Sequence, residues 1–158
     1  MSENSVALRH FLASIAYHAT KAIKEAPDNY AELDIGMGVR TPKRILHHIT
    51  GVLTYADSFY KTYENTWIQE KKTWSETVSD FYKILKKLDV SLMTYNPQEV
   101  TDLQILQGPL SDAMAHTGQL LMLRRMAGSP IPSENFIYAD IKIGKVGTDQ
   151  AEPVSPDE

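Results

Sequence analysis

Four segments of this sequence place apolar residues at intervals of three and four positions, which is the spacing of one face of an α-helix. Each residue advances a helix by about 100°, so residues at this spacing point to the same side. We expect helices over residues 5–26, from Thr41 onward, from Thr73 onward and over residues 101–127. Because little of the sequence alternates as a strand does, the pattern predicts an all-α fold, a four-helix bundle around one core.

Residues that commonly begin and end helices stand at several of these boundaries. Ser5 is expected to cap the first helix, and Thr41 the second, with Pro42 in the first turn, where its missing N–H is not needed. Gly128 is expected to close the fourth helix, because glycine readily adopts the left-handed conformation found there. A polar connection that contains Trp67 is expected between the second and third helices.

The fourth helix contains Gly108-Pro109 in its interior. Apolar residues stay in phase on both sides of this proline, in the series Leu103, Leu106, Leu110, Met114, Thr117 and Leu121. The pattern therefore favours one helix that is kinked at Gly108-Pro109. The alternative is a helix that begins afresh at Pro109, since proline suits a first turn. Further apolar residues around the wheel indicate that this helix is the most buried of the set.

Residues 129–158 differ in character from residues 1–128 but are expected to belong to the same domain. Ser129-Pro130-Ile131-Pro132 breaks the fourth helix. The run from Phe136 to Gly147 has apolar residues without a helical period, and we expect an irregular C-terminal strap that packs over the bundle or onto a partner. From Thr148 the acidic, proline-containing end is typical of a tail.

The composition excludes several classes of protein. With 42% hydrophobic and 23% charged residues, the sequence is that of a globular domain and not of a disordered chain. Because it has no cysteine, disulfides, cysteine-based zinc sites and a thiol nucleophile are excluded. A net charge of −4 gives no support to nucleic-acid binding. No run approaches the ~20 apolar residues that span a bilayer, and no signal peptide is evident, so we expect a cytoplasmic protein without membrane association.

Asp112 and His116 are four residues apart in the predicted fourth helix, so their side chains lie on one side of it, a turn apart. His48 stands at the border of the apolar face of the second helix, whereas His47 is turned outward by about 100°. Two imidazole nitrogens and one carboxylate oxygen suit Zn²⁺, Ni²⁺ or Fe²⁺ and leave positions for water, substrate or a thiolate. The other interpretation is a hydrogen-bonded Asp112–His116 pair without a metal.

Other catalytic patterns are missing from the sequence. It contains no Glu-x-x-His motif of di-iron bundles, no His-Glu-x-x-His motif and no Gly-x-Ser-x-Gly motif. Tyr55 lies about two turns beyond His48 on the same side, where it could contact a ligand residue or pack in the core. The residues that would carry out catalysis therefore stay unassigned.

Two stretches resemble the DinB/YfiT-like superfamily, a family of damage-inducible bundle proteins distinct from the DNA polymerase of the same name. One is Arg40-Thr41-Pro42-Lys43-Arg44-Ile45-Leu46-His47-His48-Ile49. The other runs from Ala115 to Gly128 and contains His-Thr-Gly-Gln followed by Leu-Arg. The resemblance implies a four-helix bundle, commonly dimeric, with a divalent metal, often nickel or zinc. Its ligands are usually three histidines, at the positions of His48, Asp112 and His116, so Asp112 departs from the family pattern.

The resemblance also implies an activity. Some members are metal-dependent hydrolases, and others are transferases or isomerases that use a low-molecular-weight thiol, activated by the metal. We therefore expect a homodimeric enzyme in which a metal activates water or a thiol towards a small-molecule substrate. The alternative is a non-catalytic homodimeric, stress-associated interaction domain in which the metal site has degenerated and Asp112 only holds His116.

Overall fold

The computed structural model describes residues 3–60 and 72–155, and this part of the chain is all-helical, with no strand. Helix α1 is Glu3–Ile23, α2 is Pro42–Ser58 and α3 is Trp74–Thr94. Helix α4 consists of three consecutive segments, Asp102–Ile105, the π-helical turn Leu106–Leu110, and Ser111–Met126. A single 3₁₀ turn, Phe136–Tyr138, follows. The all-α prediction is confirmed, whereas the predicted connection around Trp67 lies outside the described residues.

The amino-terminal ends of three helices follow from local capping. The Thr41 side chain accepts a hydrogen bond from the Arg44 N–H at the start of α2. Thr73 begins α3 with a capping box, and Thr101 begins α4 in the same way. The predicted starts of these helices are confirmed.

The prediction that Ser5 caps α1 is wrong. The helix already includes Glu3, and the Ser5 hydroxyl donates to the main-chain oxygen of Leu92 in α3 at 2.6 Å. Ser5 therefore joins two helices instead of beginning one. At the other end of α4, Gly128 has a φ of +80°, which confirms it as the residue that closes the helix.

The π turn in α4 lies where the sequence predicts an irregularity. Pro109 has no N–H to donate, and the helix continues with the Ser111 N–H bonded to the carbonyl of Leu106, five residues earlier. The Ser111 hydroxyl donates to the same carbonyl at 2.6 Å. The prediction of one continuous helix is confirmed, with a π turn at the predicted irregularity, and the alternative of a fresh start at Pro109 is wrong.

The buried face of α4 agrees with the predicted stripe except at its first residue. Leu110 and Thr117 are fully buried, and Leu106, Met114 and Leu121 pack against the core, but Leu103 is 69% exposed. A π turn holds more residues than an α turn, so an ideal helical wheel loses its phase across residues 106–110. The predicted stripe is therefore wrong at Leu103, which precedes the turn.

The four helices enclose one core. Helices α1 and α2 each pack against both α3 and α4. The largest fully buried side chains come from α1, α2 and α3 and from the connection after α1: Leu12, Ile15, Tyr17, Tyr30, Ile45, Leu46, Ile49, Leu53, Phe81, Leu85, Leu88 and Leu92. In the described part of the chain, none of the helices is long and apolar enough to cross a membrane.

The C-terminal segment lies against α1, which is consequently buried on more sides than α4. Glu134 accepts a hydrogen bond from the Tyr17 hydroxyl and pairs with Lys21 at 3.0 Å. The ring of Phe136 contacts that of His18, with 4.4 Å between centroids. Further along, Val146 is buried with the core. The expectation that α4 is the most buried helix is wrong, because this segment covers the outer face of α1.

Candidate metal centre

The structure brings His48, Asp112 and His116 together at the contact between α2 and α4. Each residue offers one ligand atom, and these atoms all lie within 4.8 Å of one another. His48 Nε2 is 3.3 Å from Asp112 Oδ2, and His116 Nδ1 is 3.2 Å from Asp112 Oδ1. The two imidazole rings are 4.4 Å apart between centroids. This cluster could hold a metal ion.

Local structure explains why these side chains converge. His48 stands beside Ile45 and Ile49, which are fully buried, so the helix that buries them holds its imidazole at the edge of the core. Asp112 lies in the first turn of the regular part of α4, two residues after the end of the π turn at Leu110. His116 is four residues later and faces the same way. The packing of α2 against α4 then places His48 opposite Asp112 and His116.

The distance between His48 and Asp112 is longer than that of a strong hydrogen bond and is compatible with a tetrahedral metal. Two ligands that bind zinc at about 2.0–2.1 Å in tetrahedral geometry are separated by about 3.3–3.4 Å. The observed separation between His48 Nε2 and Asp112 Oδ2 is 3.3 Å, whereas a good N–H···O bond is usually about 2.9 Å long. The spacing of these two atoms therefore matches one edge of a ligand tetrahedron.

The main chain fixes which nitrogen of His116 is available. Its Nδ1 lies 2.9 Å from the main-chain oxygen of Asp112. Donation of the Nδ1 proton to that oxygen leaves the lone pair on Nε2, as in metal sites where the second nitrogen of a ligating histidine is hydrogen-bonded. His116 is thus held in one tautomer by its own helix.

The cluster is partly open to solvent. Side-chain exposure is 16% for His116, 33% for His48 and 45% for Asp112. Burial lowers the pKa of His48, and the positive charges of His116 and Arg40 lower it further against the opposing effect of Asp112. A lowered pKa favours the neutral imidazole, which is the form that binds metals. An opening on the Asp112 side would admit water or a small molecule.

His47 and Tyr55 do not belong to the cluster but line a groove beside it. The groove has a volume of about 480 Å³ and is bordered by Arg40, Arg44, His47, His48, Gly51, Val52 and Tyr55. Tyr55 is 60% exposed, so the interpretation of this residue as core packing is wrong. Neither arginine was predicted from the sequence, although Arg44 precedes His48 by four residues and therefore lies on the same side of α2.

No family model, curated protein or solved structure matches this chain. Its likeness to the DinB/YfiT-like superfamily consequently rests on the two sequence stretches alone. Any inference about activity therefore depends on the geometry of the cluster and its groove.

Proposed function

We propose that this protein is a metal-dependent enzyme with a DinB-like four-helix bundle, in which His48, Asp112 and His116 bind one divalent ion, Zn²⁺ or Ni²⁺ in preference to Fe²⁺. The observation that carries the proposal is the convergence of three donor atoms from α2 and α4 within 4.8 Å. The donor set supports these metals, because imidazole suits Zn²⁺, Ni²⁺ and Fe²⁺ and one carboxylate completes a three-ligand site.

The site residues would have distinct roles. When bound, the ion would acidify water or a thiol and so supply a nucleophile at neutral pH. His48 would hold the α2 side of the site, while Asp112 and His116 would hold the α4 side. Three protein ligands leave room for a substrate group, and the partial exposure of Asp112 supports access from that side.

Two reactions fit the same site. Hydrolysis would use water, and a thiol-dependent transfer would use a low-molecular-weight thiol brought in from solution, since the chain has no cysteine of its own. Nothing in the donor set separates the two. The open groove beside His48 could accept a small substrate in either case.

The second candidate function is a non-catalytic interaction domain. It is favoured by one observation, that Asp112 lies within hydrogen-bonding reach of both histidines and so could hold them without a metal. On this account the cluster only joins α2 to α4. Whichever function is correct, the homodimer and the cytoplasmic location stay predictions from the sequence. The sedimentation mass of the protein tests the homodimer.

Metal analysis of protein purified without an affinity tag tests the proposal. We expect close to one equivalent of Zn²⁺ or Ni²⁺ per chain in the wild type and in His47→Ala, and little in His48→Ala or His116→Ala. His47→Ala is the matched control because it removes the neighbouring imidazole, which is outside the cluster. Equal metal content in all four proteins would support the interaction domain instead.

A further inference from the structure

The groove beside the metal cluster follows one side of α2 and changes in character along its length. Arg40, Arg44 and His47 border one end, and Gly51, Val52 and Tyr55 border the other. His48 lies between the two ends. The groove is therefore cationic at the amino-terminal end of α2 and apolar at the other, with the proposed ligand His48 in the middle.

The cationic end has a guanidinium available to a ligand. Arg40 is exposed, and it pairs with no carboxylate in residues 3–60 and 72–155. Arg44 is also exposed and borders the same space. A planar guanidinium binds carboxylate and phosphate groups through paired N–H donors. This end of the groove thus has the chemistry of an oxyanion site.

The apolar end is open because it includes a glycine. Gly51 lies inside α2, where glycine is unfavourable, and a Cβ atom built on it would meet nothing within 4 Å. Packing therefore does not require a glycine here, and the missing side chain leaves space over the helix. The exposed Tyr55 ring, which packs edge-to-face on Phe59, forms an aromatic wall beside that space.

We propose that this groove binds a small molecule with an oxyanion at one end and an apolar body at the other, and so defines the substrate class of the proposed enzyme. A helix rises about 1.5 Å per residue, so Arg44 is about 6 Å from His48 in one direction and Tyr55 about 10 Å in the other. A carboxylate or phosphate on Arg40 and an apolar group against Val52 and Tyr55 would set the bond between them beside His48. The assignment of a substrate rests on the proposed function, whereas binding itself does not.

Binding can be measured on the full chain with simple probes. Benzoate and phenyl phosphate carry an oxyanion and a ring, and benzamide is the neutral match of benzoate. Titration into ¹⁵N-labelled protein, with and without one equivalent of Zn²⁺, reports binding through the amide signal of Gly51. We expect benzoate or phenyl phosphate to bind in both states and benzamide to bind at least about tenfold more weakly, because it lacks the charge. Comparison of the two anions distinguishes carboxylate from phosphate.

Two pairs of variants distinguish binding in the groove from general effects of a substitution on the protein. Arg40→Gln should weaken binding of the anionic probe about tenfold, while Arg125→Gln, which removes an exposed arginine from α4, should leave it unchanged. Gly51→Leu should fill the apolar end and abolish binding. Gly118→Leu is its control, because Gly118 is likewise an exposed helical glycine with open space around it.

The outcomes for the groove and for the metal are distinct. If the wild type binds neither anion at millimolar concentration, or if Arg40→Gln and Gly51→Leu bind as their controls do, the groove proposal is overturned even though Zn²⁺ binds. The proposal would also be overturned if binding of the anion required Zn²⁺ and its affinity were unchanged in Arg40→Gln, since the metal alone would then hold the anion. If Zn²⁺ does not bind but the arginine-dependent site does, the groove stands and the proposed enzyme fails.

Discussion

His48 Nε2 and Asp112 Oδ2 lie 3.3 Å apart across the contact between α2 and α4. This pair joins two helices, and the two residues are separated by 64 positions in the sequence. His116, one turn along α4 from Asp112, completes the cluster without any further movement of the helices. The candidate metal centre is thus a product of helix packing and of the i, i+4 spacing in α4.

Asp112 should be required for tight metal binding. Replacement by Asn keeps the shape of the side chain but removes its charge, and we expect the affinity for Zn²⁺ to fall at least about tenfold. Asp149→Asn, at an exposed position outside the cluster, should have no effect. Competition titration against a chromophoric chelator measures both. Unchanged affinity in Asp112→Asn would assign the carboxylate to holding His116 alone.

Arg124 should contribute strongly to stability. Its guanidinium is buried and donates to the main-chain oxygens of Ala22, Lys24 and Glu25 at 2.8–2.9 Å. These carbonyls lie at the end of α1, where the helix itself provides no hydrogen-bond donor. Arg124→Met would leave these acceptors without a donor, and we expect unfolding free energy to fall by about 2–3 kcal/mol.

The neighbouring residue provides the control for Arg124. Arg125→Met removes an exposed arginine from the same turn and should change stability by less than about 0.5 kcal/mol. Urea unfolding followed by circular dichroism measures both variants. Equal losses in the two proteins would show that the buried contacts of Arg124 have no special role.

The capping box at the start of α3 should stabilise that helix. The Thr73 side chain accepts from the Glu76 N–H at 3.2 Å, and the Glu76 carboxylate accepts from the Thr73 N–H at 2.7 Å. Thr73→Ala should therefore lower the unfolding free energy by about 1 kcal/mol. Ser75→Ala, in the same exposed first turn, should change it far less, and urea unfolding midpoints decide between them.

His18 should make stability depend on pH. Burial lowers the pKa of His18 in the folded protein, Lys21 lowers it further and Glu134 opposes the shift. A histidine whose folded pKa lies below its unfolded value of about 6.5 takes up protons preferentially in the unfolded chain. Its contribution to stability is therefore present above pH 6.5 and is lost as the pH falls through that value towards the folded pKa.

A neutral variant isolates this effect. Between pH 7.5 and pH 5, His18→Gln should lose less unfolding free energy than the wild type, because glutamine does not titrate. His10→Gln is the comparison, since His10 is an exposed histidine on the same helix. If the wild type and His18→Gln lose stability equally over this range, the pH effect comes from other groups.

Local signals in the sequence were sufficient for the starts of α2, α3 and α4, whereas α1, predicted over residues 5–26, is Glu3–Ile23. Each capping hydrogen bond joins a threonine (Thr41, Thr73 or Thr101) to the N–H group three residues later, so neighbouring residues alone determine where these helices begin. Ser5 has the same chemistry but bonds to Leu92, and a contact across 87 positions leaves no local pattern. The helical wheel of α4 was wrong only at Leu103, because the π turn at residues 106–110 changes the angle per residue between Leu103 and the rest of the helix.

Some features of the candidate site could likewise be predicted from the sequence, and others could not. The i, i+4 pair and the choice of His48 over His47 could be read from helical geometry, since each depends on a single helix. The groove could not, because its cationic and apolar ends depend on which side of α2 the neighbouring helices leave uncovered. The position of the C-terminal segment over α1 depends on contacts such as Tyr17 with Glu134, which lie 117 positions apart.

X-ray absorption at the zinc edge, on the full chain loaded with one equivalent of Zn²⁺, tests the central claim most directly. The account predicts two imidazole nitrogens at about 2.0–2.1 Å and a carboxylate oxygen at about 2.0–2.2 Å, with one imidazole lost in His48→Ala and none lost in His47→Ala. A shell without imidazole, or one that His48→Ala leaves unchanged, would contradict it.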